Sequence, residues 1–334
     1  MAVRVALVGV GRFGEVHLRC LLSLRPMAEV AAICDRDEAR LEEVAGKFGI
    51  ARAYADFEEM LVREEVDAVF VLTEEHNHAG PAIAALEAGR HVFCEKPIAS
   101  TLEDADRMVE AARRAGRWLF VGHILRFDPQ YAELRERAVR GDFGTLGFLH
   151  ARRLLRASHF RHYARVPAIV HTGIHDIDIA LWIVGEPPRE VCARCRSLLG
   201  LPQPETFAVL MDFGWGGPVA VVENAWLLPD SYPASIEAEF VVAGDGGCGR
   251  IHSPPAGTVL AAGGGAEGPD LFWWPSLHGE VAGALRNELI YFLRCVEEGV
   301  EPSLVRPEEA RDALAVALAA VESARSGGGP VSPR

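Results

Sequence analysis

"RVALVGVGRFGEVHLRCLLSL", residues 4–24, runs from a β-branched apolar stretch through three glycines into apolar residues at helical spacing. The glycines, Gly9, Gly11 and Gly14, have the G-x-G-x-x-G spacing. Between a strand and a helix this pattern predicts a dinucleotide loop. Gly9 allows the tight turn, Gly11 lets the backbone approach a pyrophosphate, and Gly14 lets helix and strand pack closely. N–H groups at the helix start bind the phosphates, and Arg12 and Phe13 complete the cofactor loop.

The strand–helix rhythm continues. "EVAAICD" is a second strand, and "RDEARLEEVAGKFG" a helix ending at Gly49. "VDAVFVLT", "GRHVFCEKP" and "RWLFVGH" are further strands, separated by the helices "AGPAIAALEAG" and "LEDADRMVEAARRAG". Continuous apolar strands joined by crossover helices predict a doubly wound α/β domain of Rossmann type, its parallel sheet covered on both faces. Asp35 ends the second strand about 20 residues beyond Gly14, where the carboxylate that holds the adenosine ribose diol belongs. A carboxylate there repels a 2′-phosphate, so NAD is favoured and NADP stays open, because the Arg36 guanidinium could pair with that phosphate. A helix N-cap is the other role open to Asp35, and the two are compatible.

Beyond residue 121 the pattern changes. The helix "PQYAELRERAVRG" leads into "TLGFLHARRLL", "REVCARCRSLLG", "ETFAVLMDFG", "PVAVVENAWLL" and "IEAEFVVAG". Several of these alternate polar with apolar residues, which predicts an open, largely antiparallel sheet in an α+β domain. Residues 1–121 are thus expected to bind the dinucleotide, and 122–334 to form a substrate-binding and oligomerisation domain whose last helices pack back toward the first. The stretch 261–268, "AAGGGAEG", and the tail "SGGGPVSPR" read as flexible.

A length of 334 residues suits two domains. The formal charge of −13, from 34 basic and 47 acidic side chains, argues against a nucleic acid or an anionic membrane as partner. No apolar run reaches the ~20 residues of a membrane span, and the N-terminus reads as a strand, not a signal peptide. Seven cysteines without a framework spacing suit a reducing cytoplasm. Cys192 and Cys195 form one C-x-x-C, but no second pair follows to complete a zinc site.

"GRHVFCEKPIAS", with Glu95, Lys96 and Pro97, resembles the Gfo/Idh/MocA family of glucose–fructose oxidoreductase and inositol dehydrogenase relatives. The resemblance extends through "VGVGRFG", "VGHILRFDPQY", "GIHDIDIALWIVG" and the closing helices. It implies an oxidoreductase that moves hydride between nicotinamide and a secondary hydroxyl of a sugar, sugar derivative or cyclitol. It also implies that Lys96 reaches the nicotinamide and the substrate hydroxyl, that His175 is the general base, that the Lys96–Pro97 bond is cis, and that the protein is a homo-oligomer, dimer or tetramer. The cofactor residues it adds are Thr73, His78 and Glu95. Two departures stand out: "TEE" (Thr73, Glu74, Glu75) replaces the T-P-N of many relatives, and His171 replaces an aspartate four residues before the catalytic histidine.

The chemistry is consistent with these residues. An imidazole, with its ordinary pKa of ~6.5, suits acceptance of a hydroxyl proton, and a lysine ammonium stabilises a developing alkoxide. In "VHTGIHDID", residues 170–178, His171 and His175 lie four apart, so one helix would stack both on one face. A metal pair would need a third ligand, and no metal is expected. For His171, a structural histidine and a substrate contact remain open. Arg161, His162 and Tyr163, in "RASHFRHYARVP", are either polyol contacts or a solvated loop. Arg126 is either near the substrate or in a surface ion pair. His123, Trp182 and Tyr131 read as packing residues. Two alternatives accompany the dehydrogenase: an NAD-dependent glycosidase acting by transient oxidation, and a non-catalytic dinucleotide or sugar sensor, which would need neither Lys96 nor His175.

Overall fold

The computed structural model describes residues 2–253, 260–262, 265–267 and 270–333. The chain divides into two compact units, Met1–Phe127 with Phe272–Arg311, and Asp128–Leu271 with Asp312–Arg334.

The first unit opens with β1 (Val3–Val8), α1 (Arg12–Ser23), β2 (Ala28–Cys34), α2 (Glu38–Phe48), β3 (Ala53–Tyr54), α3 (Phe57–Arg63) and β4 (Ala68–Val71). It continues with α4 (Ala79–Glu87), β5 (His91–Glu95), α5 (Leu102–Ala115) and β6 (Leu119–Gly122). The six strands form one parallel sheet in the order β3-β2-β1-β4-β5-β6. This is the Rossmann-type α/β sheet, and its strand order reverses direction between β1 and β4, the switch point where such sheets bind ligands. Side-chain caps set the helix starts: Asp37 accepts from Arg40 N, Asp56 from Glu58 N, and Thr101 from Asp104 N. All four residues of β4 are buried, which accounts for its run without polar alternation.

The second unit begins with α6 (Pro129–Arg140), which has proline in its first turn and Asp128 capping Gln130 N. β7 (Leu146–Arg156), the short α7 (Ala157–Phe160) and α8 (Ile174–Val184) follow. Then come β8 (Glu190–Arg196), β9 (Thr206–Asp212), β10 (Val219–Leu228), β11 (Ile236–Gly244) and β12 (Gly247–Ser253). Their sheet order is β12-β11-β7-β10-β9-β8, antiparallel throughout except for the parallel pair β7–β10. Burial alternates along β9 and β10, leaving one face of the sheet open. The short strands β13 (Leu260–Ala262) and β14 (Gly265–Glu267) pair with each other. All but Leu260 of these two strands falls on the stretch 261–268 expected to be flexible, of which residues 263, 264 and 268 are outside the described residues.

After the two-residue strands β15 (Ser276–Leu277) and β16 (Glu280–Val281), helix α9 (Ala284–Glu298) belongs to the first unit. Its Phe292 ring meets Phe70 at 5.6 Å, Phe93 at 5.7 Å and Phe120 at 5.5 Å, and all four rings are fully buried. Each such burial is worth roughly 1.5–3 kcal/mol. Helix α10 (Pro307–Arg325) follows. The tail departs from the flexible expectation. Val331 forms a β-bridge with Val191, and Ser323 Oγ donates to Gly329 O at 2.6 Å while accepting from Ala193 N at 2.9 Å. Backbone pairing holds the glycine run, which composition alone does not reveal.

Candidate active site

In the first unit the glycine loop has the form a dinucleotide needs. Gly9 has φ +95°, and a Cβ there would lie 2.7 Å from the Leu72 carbonyl carbon. At Gly14 a Cβ would lie 2.2 Å from Gly9 O, so helix and loop touch backbone to backbone. A Cβ at Gly11 would meet nothing within 4 Å, so this is open space at the helix start. Gly11 caps α1 with no side chain, leaving first-turn N–H groups to serve an anion. Arg12 is exposed and Phe13 half-buried at this loop. The cradle fits a pyrophosphate.

Asp35 follows β2, and its carboxylate is fixed by two backbone donors, Val10 N to Oδ2 at 2.8 Å and Asp37 N to Oδ1 at 3.0 Å. The cap of α2 is therefore Asp37, and Asp35 is left with acceptor lone pairs for a ribose diol. Arg36 is exposed and lies 3.8 Å from Glu74 Oε2.

Lys96 stands just beyond β5, half-buried, and the Lys96–Pro97 bond is cis. Glu95 accepts the Lys96 backbone N–H at 3.0 Å through Oε2, and its Oε1 lies 3.0 Å from His17 Nε2. Burial pushes the Glu95 carboxyl up, but the His17 hydrogen bond, the charges of His17 and Lys96, and the Lys96 N–H together hold it below the usual range. Glu95 therefore supports the lysine from inside the protein. His78, expected at the cofactor, is also buried: Nδ1 lies 2.9 Å from Pro97 O and Nε2 3.0 Å from Thr73 O. A neutral ring donates to only one of these carbonyls. Burial, opposed by the two carbonyls, depresses its pKa. His78 thus ties the Lys96–Pro97 turn to the loop after β4, where Thr73 Oγ1 donates to Asn77 O.

Arg126 is almost fully buried. Its side chain is 1% exposed and donates to Glu309 Oε2 at 2.6 Å and Leu304 O at 2.8 Å. The surface ion pair expected for it is instead one in which the arginine is buried, within the first unit.

In the second unit, residues Ile169–Gly173 form a π-helical turn that runs into α8. The two histidines therefore do not share a regular α-helix: His171 sits in the widened turn and His175 in the first turn of α8. Such turns recur at functional sites. His171 stacks on Tyr163 at 4.3 Å between centroids, and Trp226 lies 5.9 Å from His171 and 5.8 Å from Tyr163. Trp226 Nε1 donates to Thr172 Oγ1 at 3.0 Å, and Asn224 Oδ1 lies 3.2 Å from the same hydroxyl, which pins the turn to β10. Behind His175, Asp176 is fully buried against Arg153. Arg161 and His162 are exposed, and Tyr163 is half-buried. Of the three loop residues expected to touch a polyol, only Tyr163 joins the histidine cluster through a stack.

Sequence reasoning missed His17, Arg153, Asn224 and Trp226. His17 had a usable signal, since it stands three residues past Gly14 on the buried face of α1. The others become visible only once strand pairing is known.

A doubly wound sheet with this glycine cradle, a carboxylate after β2 and a lysine after β5 defines a dinucleotide-dependent oxidoreductase. Residues 3–123 match the oxidoreductase family Gfo/Idh/MocA with its NAD-binding Rossmann fold, and residues 131–249 match the Gfo/Idh/MocA C-terminal domain. The chain belongs to this family, and its cofactor is NAD. It is 34% identical over 280 residues to inositol 2-dehydrogenase 2 of Saccharopolyspora erythraea, covering 80% of this chain and 78% of that one. Over 335 residues it is 31% identical to the myo-inositol 2-dehydrogenase of Thermotoga maritima, covering 96% of each. A crystal structure of a probable dehydrogenase from Thermotoga maritima superposes with a TM-score of 0.81 at 27% identity, covering 99% of each chain. Among the described residues no helix is long and apolar enough to cross a membrane.

Proposed function

We propose that this protein oxidises a secondary hydroxyl of a cyclitol of the inositol kind, with NAD as acceptor. The observation that carries the reading is the pair of inositol dehydrogenases to which the chain is 31–34% identical over most of its length. Lys96 and His175, both present, support it. NAD, when bound, supplies the hydride acceptor. Gly9, Gly11 and Gly14 would hold its pyrophosphate, and Asp35 its ribose. The Lys96 ammonium donates to the substrate oxygen and stabilises charge as the alkoxide develops. His175, half-buried at the start of α8, accepts the hydroxyl proton. His171 and Tyr163, stacked on each other, would offer an aromatic contact for the C–H face of a cyclitol ring.

The test is a panel of inositols, free sugars and nucleotide sugars, each with NAD and NADP, read by absorbance of the reduced cofactor. Reduction of NAD with an inositol is the expected result. Turnover of sugars alone would redirect the assignment, and glycoside cleavage without net NADH would favour the glycosidase. The proposal includes a cytoplasmic homo-oligomer, dimer or tetramer. Phe148, Leu210 and Val219 support it, being 42%, 42% and 37% exposed on the open face of the second sheet. Light scattering of the purified protein measures the subunit count.

A further inference from the structure

The ribose end of the dinucleotide site holds two arginines that could draw in a 2′-phosphate, and both are committed to carboxylates. Arg40, on α2, spends its guanidinium inside the protein: Nε donates to Val10 O at 3.0 Å, Nη1 to Glu43 at 2.8 Å and Nη2 to Glu15 at 2.5 Å. Arg36, directly after Asp35, extends toward Glu74. Glu74 comes from the loop after β4, and Arg36 from the loop after β2. Those strands flank β1 on either side, so the Arg36–Glu74 pair spans the switch-point crevice above the glycine loop.

We propose that Glu74 is a specificity determinant for NAD, acting through Arg36. An arginine beside the ribose carboxylate is the residue that accommodates a 2′-phosphate. Asp35 alone would then oppose NADP while its neighbour recruited it. Glu74 resolves the conflict by offering Arg36 a carboxylate within the protein, so an incoming 2′-phosphate must first displace an anion already in place on Arg36. NAD, with a neutral diol, does not need Arg36 and does not meet that obstacle. His76 Nε2 lies 3.6 Å from the same Glu74 oxygen, and Arg36 remains the permanently charged partner. Glu74 falls in the "TEE" segment that departs from the T-P-N of many relatives. The proposal rests on the NAD-dependent reading, not on the cyclitol assignment.

The test is equilibrium titration with NADH and NADPH, read by cofactor fluorescence without substrate, on wild type, Glu74→Gln, Arg36→Ala and the double variant. In Glu74→Gln the NADPH-to-NADH affinity ratio should rise about fivefold, the scale of an exposed ion pair, and more at low ionic strength. In the Arg36→Ala background the same substitution should leave the ratio unchanged. An unchanged ratio in Glu74→Gln would overturn the proposal. So would an equal rise in both backgrounds, since Glu74 would then act on the phosphate directly. Tight NADH binding with an inert inositol panel would count against the cyclitol reading alone.

Discussion

Arg153 on β7 and Asp176 on α8 meet through a two-point ion pair, Nε to Oδ2 and Nη2 to Oδ1, both at 2.8 Å, with side chains only 4% and 0% exposed. Burial works against the Arg153 charge, but attraction to Asp176 and the nearby Tyr131 raises its pKa well above the ordinary value. The pair fixes the helix that carries His175. Removing one partner strands a buried charge, so Asp176→Asn or Arg153→Met should cost about 3–5 kcal/mol. Urea unfolding measures it. A paired replacement, Arg153→Met with Asp176→Leu, should cost less than the two singles summed, and strict additivity would contradict the coupling.

Lys96→Ala and His175→Ala should each abolish turnover while NADH still binds. Stopped-flow or steady-state rates beside a fluorescence titration separate the two effects. Full activity in either variant would overturn the roles assigned to them.

His17 should act on rate through Glu95. His17→Phe removes the donor to Glu95 Oε1 and should lower kcat roughly tenfold or more, the scale of a lost hydrogen bond to a charged group, with little change in the KM for NAD. His17→Gln, which keeps an N–H donor, should recover part of the loss. Equal loss in kcat and in folding stability for both variants would reduce His17 to a packing residue.

Arg126→Met should destabilise the first unit, because Glu309, held below the usual carboxylate range against burial by Arg126 and Arg306, would lose its buried partner. The thermal midpoint should fall by several degrees. The KM for substrate should stay near wild type, and a large selective rise in KM would place Arg126 at the substrate after all.

His91 gives stability a pH dependence. Its ring is half-buried, lies tilted against the Trp118 ring at 4.1 Å and accepts the Trp118 backbone N–H at Nδ1, 3.1 Å away. Burial, aided by the Arg117 charge, lowers its pKa to about 4. Between an unfolded value of ~6.5 and that folded value, only the unfolded chain binds the proton. This contribution is therefore full above pH ~6.5 and is lost as pH falls toward 4. Urea midpoints at pH 7 and 5 should diverge less in His91→Gln than in wild type. Equal divergence would exclude the residue.

The first unit was largely legible because its signals are local. Buried strands such as β4 read as unbroken apolar runs, and the Gly49 and Gly116 caps are visible in the letters. Strand β3, two residues long, and helix α3 left no comparable trace between Ile50 and Glu65. The loop glycines and Lys96 belong to contiguous motifs. Arg126 and His78 carry motif-like surroundings too, yet their partners, Glu309, Leu304 and the Pro97 carbonyl, are set by tertiary structure that no local pattern encodes. The π-helical turn was missed for a similar reason. "VHTGIHDID" has ordinary helical letters, and the widening accompanies the Thr172 contacts to Asn224 and Trp226, more than 50 residues away.

The placement of Phe292 among Phe70, Phe93 and Phe120 has a consequence for synthesis. The sheet that binds the dinucleotide lies within residues 3–122, but the helix that shields its aromatic face comes only at residues 284–298, after the second sheet. A nascent chain leaving the ribosome must carry that greasy surface through the making of the entire second sheet. A fragment ending at residue 127 is thus expected to aggregate or recruit chaperones, and co-expression of the late helix to restore it to solution.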